Sequence, residues 1–228
     1  MLIAEEFLLL CLDDDAGTRL LSGEKIDPAL GGAVLAELVL LNRVGITAET
    51  DRWGRRGRVS VISAEPTGDS ELDSALRSIA ASGGKRAKDL ISSMSFRRIT
   101  KGLRDRLLAR LAAAGVLSRQ ADTVLAFIPR TVWPTVDPTP GQEIRQRLHS
   151  ALVDGLTPNE RTVILICLLQ ATGHLAKVVP TEDRKLLKAR AKALSEGEWA
   201  AKAVKQAIDE VYAATASVAV AGGIAASS

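Results

Sequence analysis

The sequence predicts a mainly α-helical single domain, and three observations carry that prediction. Aromatic residues make up only 3% of the chain against 46% hydrophobic residues overall, so the core is built from Leu, Val, Ile and Ala, a bias toward helices. Apolar residues recur three and four apart in segment after segment, the spacing of one helix face. No internal repeat and no long low-complexity linker divides the 228 residues, a length that suits one large domain or two small ones.

Leu2–Leu12 reads as a mostly buried helix or strand, closed by a turn at Asp13–Gly17. Leu20 and Leu21 follow as apolar residues among turn formers, either a flap folded on the core or an exposed tip. Asp27 and Pro28 give an N-cap and first-turn signal for a helix through Leu41, with Leu30, Val34, Leu38 and Leu41 on one face. The period then becomes two: Val44, Ile46 and Ala48, then Val59 and Val61, predict a β-hairpin. Its connection places Arg52, Arg55, Arg56 and Arg58 around Trp53, a tryptophan that can lie on the hairpin, anchor at a lipid interface or stack on a base.

Asp69 caps a helix from Ser70 to Ala81, and a short helix spans Ala87–Met94. Ser82–Lys85 does not match a phosphate loop, because Ile79 and Arg86 occupy required positions. Asp122–Ile128 reads as a strand and Pro129–Asp137 as its return or an irregular arm, with exposed-looking apolar residues. Thr139–Gln142 and Thr157–Glu160 are capping boxes, the first for a helix with Ile144, Leu148 and Leu152, the second for the most apolar and central helix, Val163–Leu169. A charged amphipathic helix runs from Thr181 to Leu194, and a last helix starts at Ser195.

Phe96–Leu117 combines an apolar stripe with cations. Ile99, Leu103, Leu107, Leu111 and Ala114 share one side at helical spacing, with Arg97, Lys101 and Arg104 on a neighbouring face. Three cations in one arc repel one another and suit a shared anion such as phosphate, the alternative being a solvated surface.

The net charge of +3 with pI near 9.0 is too mild for a protein that coats nucleic acid. Cys11 and Cys167 each sit inside an apolar run and read as buried, reduced thiols, which implies a reducing compartment. The N-terminus carries Glu5 and Glu6 where a secretory signal has cations, and no apolar run reaches the roughly 20 residues of a membrane span. His149 and His174 lie outside any metal or catalytic pattern and read as helix-surface residues. Asp13–Asp15 lacks calcium-loop spacing. No enzyme, no metal and no cofactor is predicted.

The ordered segments LIAEEFLLLCLDDDAG, LGGAVLAELVL, PTGDSELDSAL, GLRDRLLARLAAAGVL, IRQRL and NERTVILICLLQATGHL resemble the Golgi phosphoprotein family of phosphatidylinositol 4-phosphate-binding peripheral membrane proteins. The resemblance covers nearly the whole chain. It implies one domain over residues 1–228, with a central helical bundle, surrounding amphipathic helices and one or two β-hairpins. It also implies a headgroup pocket with cations at Lys101 and Arg104, and Arg106 two residues on. A tryptophan and an arginine complete the family's pocket; this chain has Ser22 and Gly31 there. The hairpin over 122–134 is implied as a self-association surface. Eukaryotic members also carry a basic N-terminal extension and bind the cytoplasmic tails of glycosyltransferases, whereas this chain starts at the shared core with a composition that suits a bacterial member.

The expectation is therefore a cytoplasmic protein, peripheral on the cytoplasmic membrane face and at the Golgi only in a eukaryote. It binds an anionic phospholipid or phosphoinositide headgroup through Arg97, Lys101, Arg104 and Arg106. Leu20, Leu21, Trp53, Arg55 and Arg56 are the candidate membrane contacts. The alternatives are a protein-interaction adaptor with a degenerate lipid site, which would hold protein tails, and a nucleic-acid-binding protein using the Trp53 loop.

Overall fold

The computed structural model describes residues 1–47, 58–93, 100–124 and 128–196. In chain order its elements are α1 (Ile3–Leu10), α2 (Gly23–Leu40), β1 (Val44–Ile46), β2 (Val59–Val61), α3 (Ser70–Ala81), α4 (Ala87–Ser92) and α5 (Leu103–Ala113). The second half has β3 (Gln120–Val124), β4 (Ile128–Val132), α6 (Thr139–His149), a π-helical turn (Ser150–Asp154), α7 (Glu160–Ala171), α8 (Leu175–Val178) and α9 (Arg184–Glu196). The fold is mainly α, as the composition predicts.

At the centre α1, α2 and α7 pack on one another, with α5 and α6 also against α1, and α3 and α4 against α2. Every residue of α1 is buried, which resolves the choice between helix and strand. Glu5 and Glu6 favour its first turn because the positive end of the helix dipole lies there, and the Leu2 N–H donates to Glu5 at 2.8 Å. Residues Thr162–Leu169 of α7 are likewise buried throughout, and each fully buried Leu or Ile contributes about 1.5–3 kcal/mol.

Four buried carboxylates, Glu5, Glu6, Glu37 and Glu71, run through this core. Each meets an arginine: Arg110 on Glu5 at 3.1 Å, Arg147 on Glu6 at 2.9 Å, Arg161 on Glu37 and Arg106 on Glu71 at 2.7 Å. A buried charge without such a partner is costly, so these pairs fix how the helices meet.

Several helix ends differ from the sequence reading. Helix α2 begins at Gly23, before Asp27 and Pro28, so Pro28 lies inside it. The missing Pro28 N–H leaves the Glu24 carbonyl without its helical donor, which the exposure of Glu24 and Lys25 makes tolerable. Leu41 is the C-cap and is 44% exposed, off the apolar stripe, because the chain turns at Asn42 with φ +53°. Asp69 does cap α3, accepting from the Glu71 and Leu72 N–H groups at 2.9 and 3.2 Å. The start of α6 is bridged by Asp137, which accepts from the Thr139 N–H at 3.0 Å. Asn159 rather than Thr157 caps α7, accepting from the Thr162 N–H at 2.9 Å. Helix α9 begins at Arg184, three residues after the expected Thr181. The helix expected from Ser195 falls largely outside the described residues.

Both hairpins are antiparallel. β1 and β2 pair Val44 with Val61 and Ile46 with Val59, as predicted; the connection holding Trp53 lies outside the described residues. β3 and β4 pair Gln120 with Val132, so the strand predicted over 122–128 starts earlier and Ile128–Val132 is its return. Trp133 was expected among exposed residues but is buried in the core, 9% exposed. The cause is a backbone seam to the first turn. Trp133 N–H donates to the Gly17 carbonyl at 2.9 Å and Thr135 N–H to the Asp14 carbonyl at 3.0 Å. Gly17 adopts φ +62°, and a Cβ there would meet the Pro134 nitrogen at 2.1 Å, so only glycine fits.

His174 is also a correction. It is 1% exposed, not on a helix surface, and its Nε2 lies 3.1 Å from the Leu10 carbonyl while Nδ1 has no partner. Burial lowers its pKa below the ordinary histidine value. His149 is exposed, 3.3 Å from Asp154. Cys11 and Cys167 are buried and not joined in a disulfide, and burial pushes the Cys11 pKa far up.

Candidate functional site

The basic stretch is not one continuous helix. Gly102 stands at the N-cap of α5 in the left-handed conformation, φ +72°, so the helical register does not run from Lys101 into Arg104. The expected shared face of Arg97, Lys101 and Arg104 is broken at this glycine. Lys101 is exposed before the break, Arg104 sits in the first turn of α5, and Arg97 lies outside the described residues. Leu103, Leu107 and Leu111 do form the buried stripe of α5, while Ala114 is exposed beyond its end.

The break also sends the arginines to different partners. Arg104, its side chain 21% exposed, donates to Asp27 at 3.0 Å, joining α5 to the first turns of α2. Partial burial raises the Asp27 pKa against the opposing pull of Arg104 and Arg19. Arg106 grips Glu71 with two bonds, 2.7 and 2.8 Å, and also donates to the Lys101 carbonyl at 2.9 Å. The Glu71 hydrogen bond holds the Arg106 pKa above its usual value, and the pair joins α5 to α3 while Arg106 also lines the cleft described below.

The loop from Asp13 to Ser22 brings a further cation to Arg104. Asp13 and Gly17 close its turn, and Leu12 bridges Arg19, with the Leu20 N–H donating to the Cys11 carbonyl at 2.8 Å. Pinned in this way, Arg19 places its Nη1 3.6 Å from the point where a Gly23 Cβ would stand, and Arg104 places its own Nη1 2.9 Å from the same point. The pair Leu20 and Leu21 divides: Leu20 is 41% exposed at the tip, while Leu21 turns back onto the core. Ser22 is exposed at the N-cap position of α2 and makes no side-chain capping bond; Gly31 is buried within α2. Trp53, Arg55 and Arg56 lie outside the described residues.

Between this loop, α5 and the β3–β4 hairpin lies a cleft of about 680 Å³. Arg19, Arg104, Arg106, Arg119 and Arg130 line it together with a single acid, Asp105, and Lys101 is not part of its wall. Arg130 is paired across the hairpin with Asp122 at 2.6 Å, and Arg119 lies over the Trp133 ring at 5.9 Å. A volume of this order suits a small-molecule headgroup, and convergent guanidiniums suit an anion. Among the described residues no group of His, Cys, Asp and Glu could hold a metal, and no helix is long and apolar enough to cross a membrane.

The profile of the Golgi phosphoprotein 3 (GPP34) family matches residues 3–211, nearly the whole chain. The chain belongs to this family. Among curated relatives, the vacuolar protein sorting-associated protein 74 of Eremothecium gossypii is similar to it, 30% identical over 206 residues. That alignment covers 79% of this chain and 62% of the relative, so the chain spans less than two thirds of that relative's length.

Within this Golgi phosphoprotein frame the structure brings Arg104 and Arg106 to one cleft and leaves Lys101 outside it. Arg19, Arg119 and Arg130, absent from the sequence-based set, complete the lining. One signal could have found Arg119: extending the β3–β4 register by one step sets position 119 opposite 133, an arginine facing a tryptophan. Arg19 carries no comparable signal, since nothing near it in sequence shows that Gly23 and Arg104 converge on it.

Proposed function

We propose that the chain is a peripheral membrane protein that binds anionic phospholipid headgroups, phosphatidylinositol 4-phosphate among them, with Arg104 as a ligand in the cleft and Lys101 as an exposed cation flanking it. The observation that carries this reading is the convergence of the Arg104 and Arg19 guanidiniums on Gly23, at the mouth of an arginine-lined cleft in a Golgi phosphoprotein family chain. Asp27 Oδ2 stands 3.9 Å from the same point, so the two cations already share a carboxylate where a phosphate would sit. The exposed Leu20 adds an apolar contact beside that cleft, and two weak membrane signals together bind where one is marginal. Arg104 has Asp27 to displace, so the site exchanges an internal carboxylate for a headgroup phosphate. Its place of action is the face of a membrane, the Golgi in a eukaryotic host.

Flotation with vesicles of phosphatidylcholine alone, with phosphatidylserine, and with phosphatidylinositol 4-phosphate tests this, comparing the wild type with Lys101→Ala plus Arg104→Ala. Binding to the anionic vesicles that the double variant loses is the expected result. Equal binding to all vesicles, or none to any, overturns the reading. The Ser22 and Gly31 positions support a second reading, an adaptor that holds protein tails; a pull-down partner indifferent to Lys101 and Arg104 would favour it.

A further inference from the structure

The β1–β2 hairpin has one face in the core and the other in solvent. Val44, Ile46 and Val59 are buried, whereas Ser60 and Ile62 are exposed, Ile62 at 56%. Gly45 reports on the outer face: the point where its Cβ would stand lies 3.1 Å from Ile62 Cδ1 and 3.6 Å from Ser60 Oγ. Strand alternation puts Arg58, two residues before Ser60, on the same side. Segment 84–86 then extends the sheet beyond β2, because the Val59 N–H donates to the Lys85 carbonyl at 2.9 Å and Arg86 bridges Arg58.

That bridge sets two arginines directly opposite each other. Like charges facing across strands are destabilising, and no carboxylate offsets them: Arg58, Lys85 and Arg86 are exposed and form no ion pair among the described residues. Asp89, in the first turn of α4, is exposed and pairs with none of them. Arg58 spends one donor on the Gly84 carbonyl at 2.8 Å, which holds its guanidinium beside the bridge and leaves its other N–H groups for an external acceptor.

The composition of this face selects its partner. Two unpaired guanidiniums suit anionic oxygens, and the exposed Ile62 beside them suits an apolar phase; an anionic lipid surface supplies both, whereas a nucleic-acid backbone offers only the charge. The face is also separate from the arginine-lined cleft. Arg104 meets Asp27 in the first turns of α2, and the hairpin follows its last turn, so the two flank opposite ends of an 18-residue helix that rises about 27 Å. A bilayer is continuous, and two contacts on one rigid body reinforce each other over that span.

We propose that the outer face of the β1–β2 hairpin, with Arg58, Arg86 and Ile62, is a second membrane contact that takes an anionic bilayer surface without selecting one headgroup. It rests on the peripheral-membrane reading and adds a contact remote from Arg104. Arg58 and Arg86 donate to lipid phosphate and carboxylate oxygens, which relieves their mutual repulsion. Ile62 enters the boundary between headgroups and acyl chains, and Lys85 flanks the pair.

The test uses the full chain in flotation with vesicles of phosphatidylcholine alone and with added phosphatidylserine, and a poly-glutamate peptide as a lipid-free polyanion. The wild type is compared with Arg58→Gln plus Arg86→Gln, with Arg58→Lys plus Arg86→Lys, with Ile62→Ser, and with Lys185→Gln plus Lys188→Gln, which removes the same charge from exposed positions of α9. Affinity for the phosphatidylserine vesicles should fall at least about fivefold in the double glutamine variant and severalfold in Ile62→Ser, with the lysine and α9 variants near wild type. The thermal midpoint of the double glutamine variant should not fall, because the pair it removes is repulsive; a fall accompanying the vesicle loss would assign the pair to the fold instead. Equal losses in the double glutamine and α9 variants would reduce the effect to net charge and overturn the proposal. Poly-glutamate binding that needs Arg58 and Arg86, without vesicle binding, would overturn the lipid partner in favour of an acidic protein segment. Vesicle binding lost with Lys101→Ala plus Arg104→Ala but indifferent to Arg58, Arg86 and Ile62 overturns this contact and leaves the cleft reading standing. Dependence on Arg58 and Arg86 alone does the reverse, and binding to no vesicle overturns both.

Discussion

Replacing Arg161 by methionine removes a cation shared by two buried carboxylates of the central helices. Its side chain, 29% exposed, donates to Glu37, to Glu6 at 3.5 Å and to the Met1 carbonyl at 2.9 Å. Glu6 keeps Arg147 at 2.9 Å, so the loss falls on Glu37, which is 7% exposed and retains the Ile3 N–H at 2.6 Å. Stranding one member of a fully buried pair costs about 3–5 kcal/mol. Solvent reaching Arg161 and the retained Ile3 bond lower the expectation to about 2–4 kcal/mol. In a domain of this size that is roughly 4–16 °C in Tm. Adding Glu37→Gln removes the orphaned charge while leaving an acceptor for Ile3, and should restore about half of the loss or more. Urea unfolding followed by circular dichroism measures both variants. A loss below about 1 kcal/mol, or a double variant no more stable than the single one, would refute the claim that this ion pair ties α1, α2 and α7 together.

Three further outcomes follow from the same geometry. Arg106→Ala should cost about 1–3 kcal/mol in urea unfolding by stripping Glu71 of its bidentate partner, while vesicle affinity changes less than about threefold; a large binding loss at unchanged stability would make Arg106 a ligand. Gly23→Ala places a Cβ 2.9 Å from Arg104 Nη1, a flexible side-chain end, so headgroup affinity should fall several-fold with the thermal midpoint little changed. Burial lowers the His174 pKa, so the unfolded chain takes up that proton first as pH falls below about 6.5 and the fold loses stability there. His174→Gln should therefore lose less stability than wild type between pH 7.5 and pH 5, and equal losses in urea midpoints would remove His174 as a contributor.

Local signals were legible where one residue type had one physical role. Asp69 capping α3, the apolar run that became α7 and the alternation of β1 and β2 all appear where the sequence placed them. Boundaries misled where a residue type has two roles. Pro28 suits a first helical turn yet lies inside α2, and Gly102 looks like one more residue of a basic helix until its left-handed φ breaks it. The charged core was hidden for another reason. Nothing in the sequence marks a partner for Glu5, Glu6 or Glu37, and only the fold shows Arg110, Arg147 and Arg161 arriving from distant segments to pair with them. The cleft is likewise assembled from positions 19, 104, 119 and 130, far apart in the chain, so periodicity could supply Arg104 alone.

The seam at Gly17 bears on how such a cleft can change its taste. The Gly17 and Asp14 carbonyls hold the segment beyond β4 through the main chain of Trp133 and Thr135, and the close approach is secured by the lack of a side chain at position 17. The frame that sets the width of the cleft is thus written in backbone bonds, while its charge is written at separate rim positions, 19, 119 and 130. Backbone frame and lining charge occupy different residues. Substitutions at positions 19, 119 and 130 change the charge of the cleft one step at a time, whereas any side chain at position 17 disturbs the seam that holds its walls.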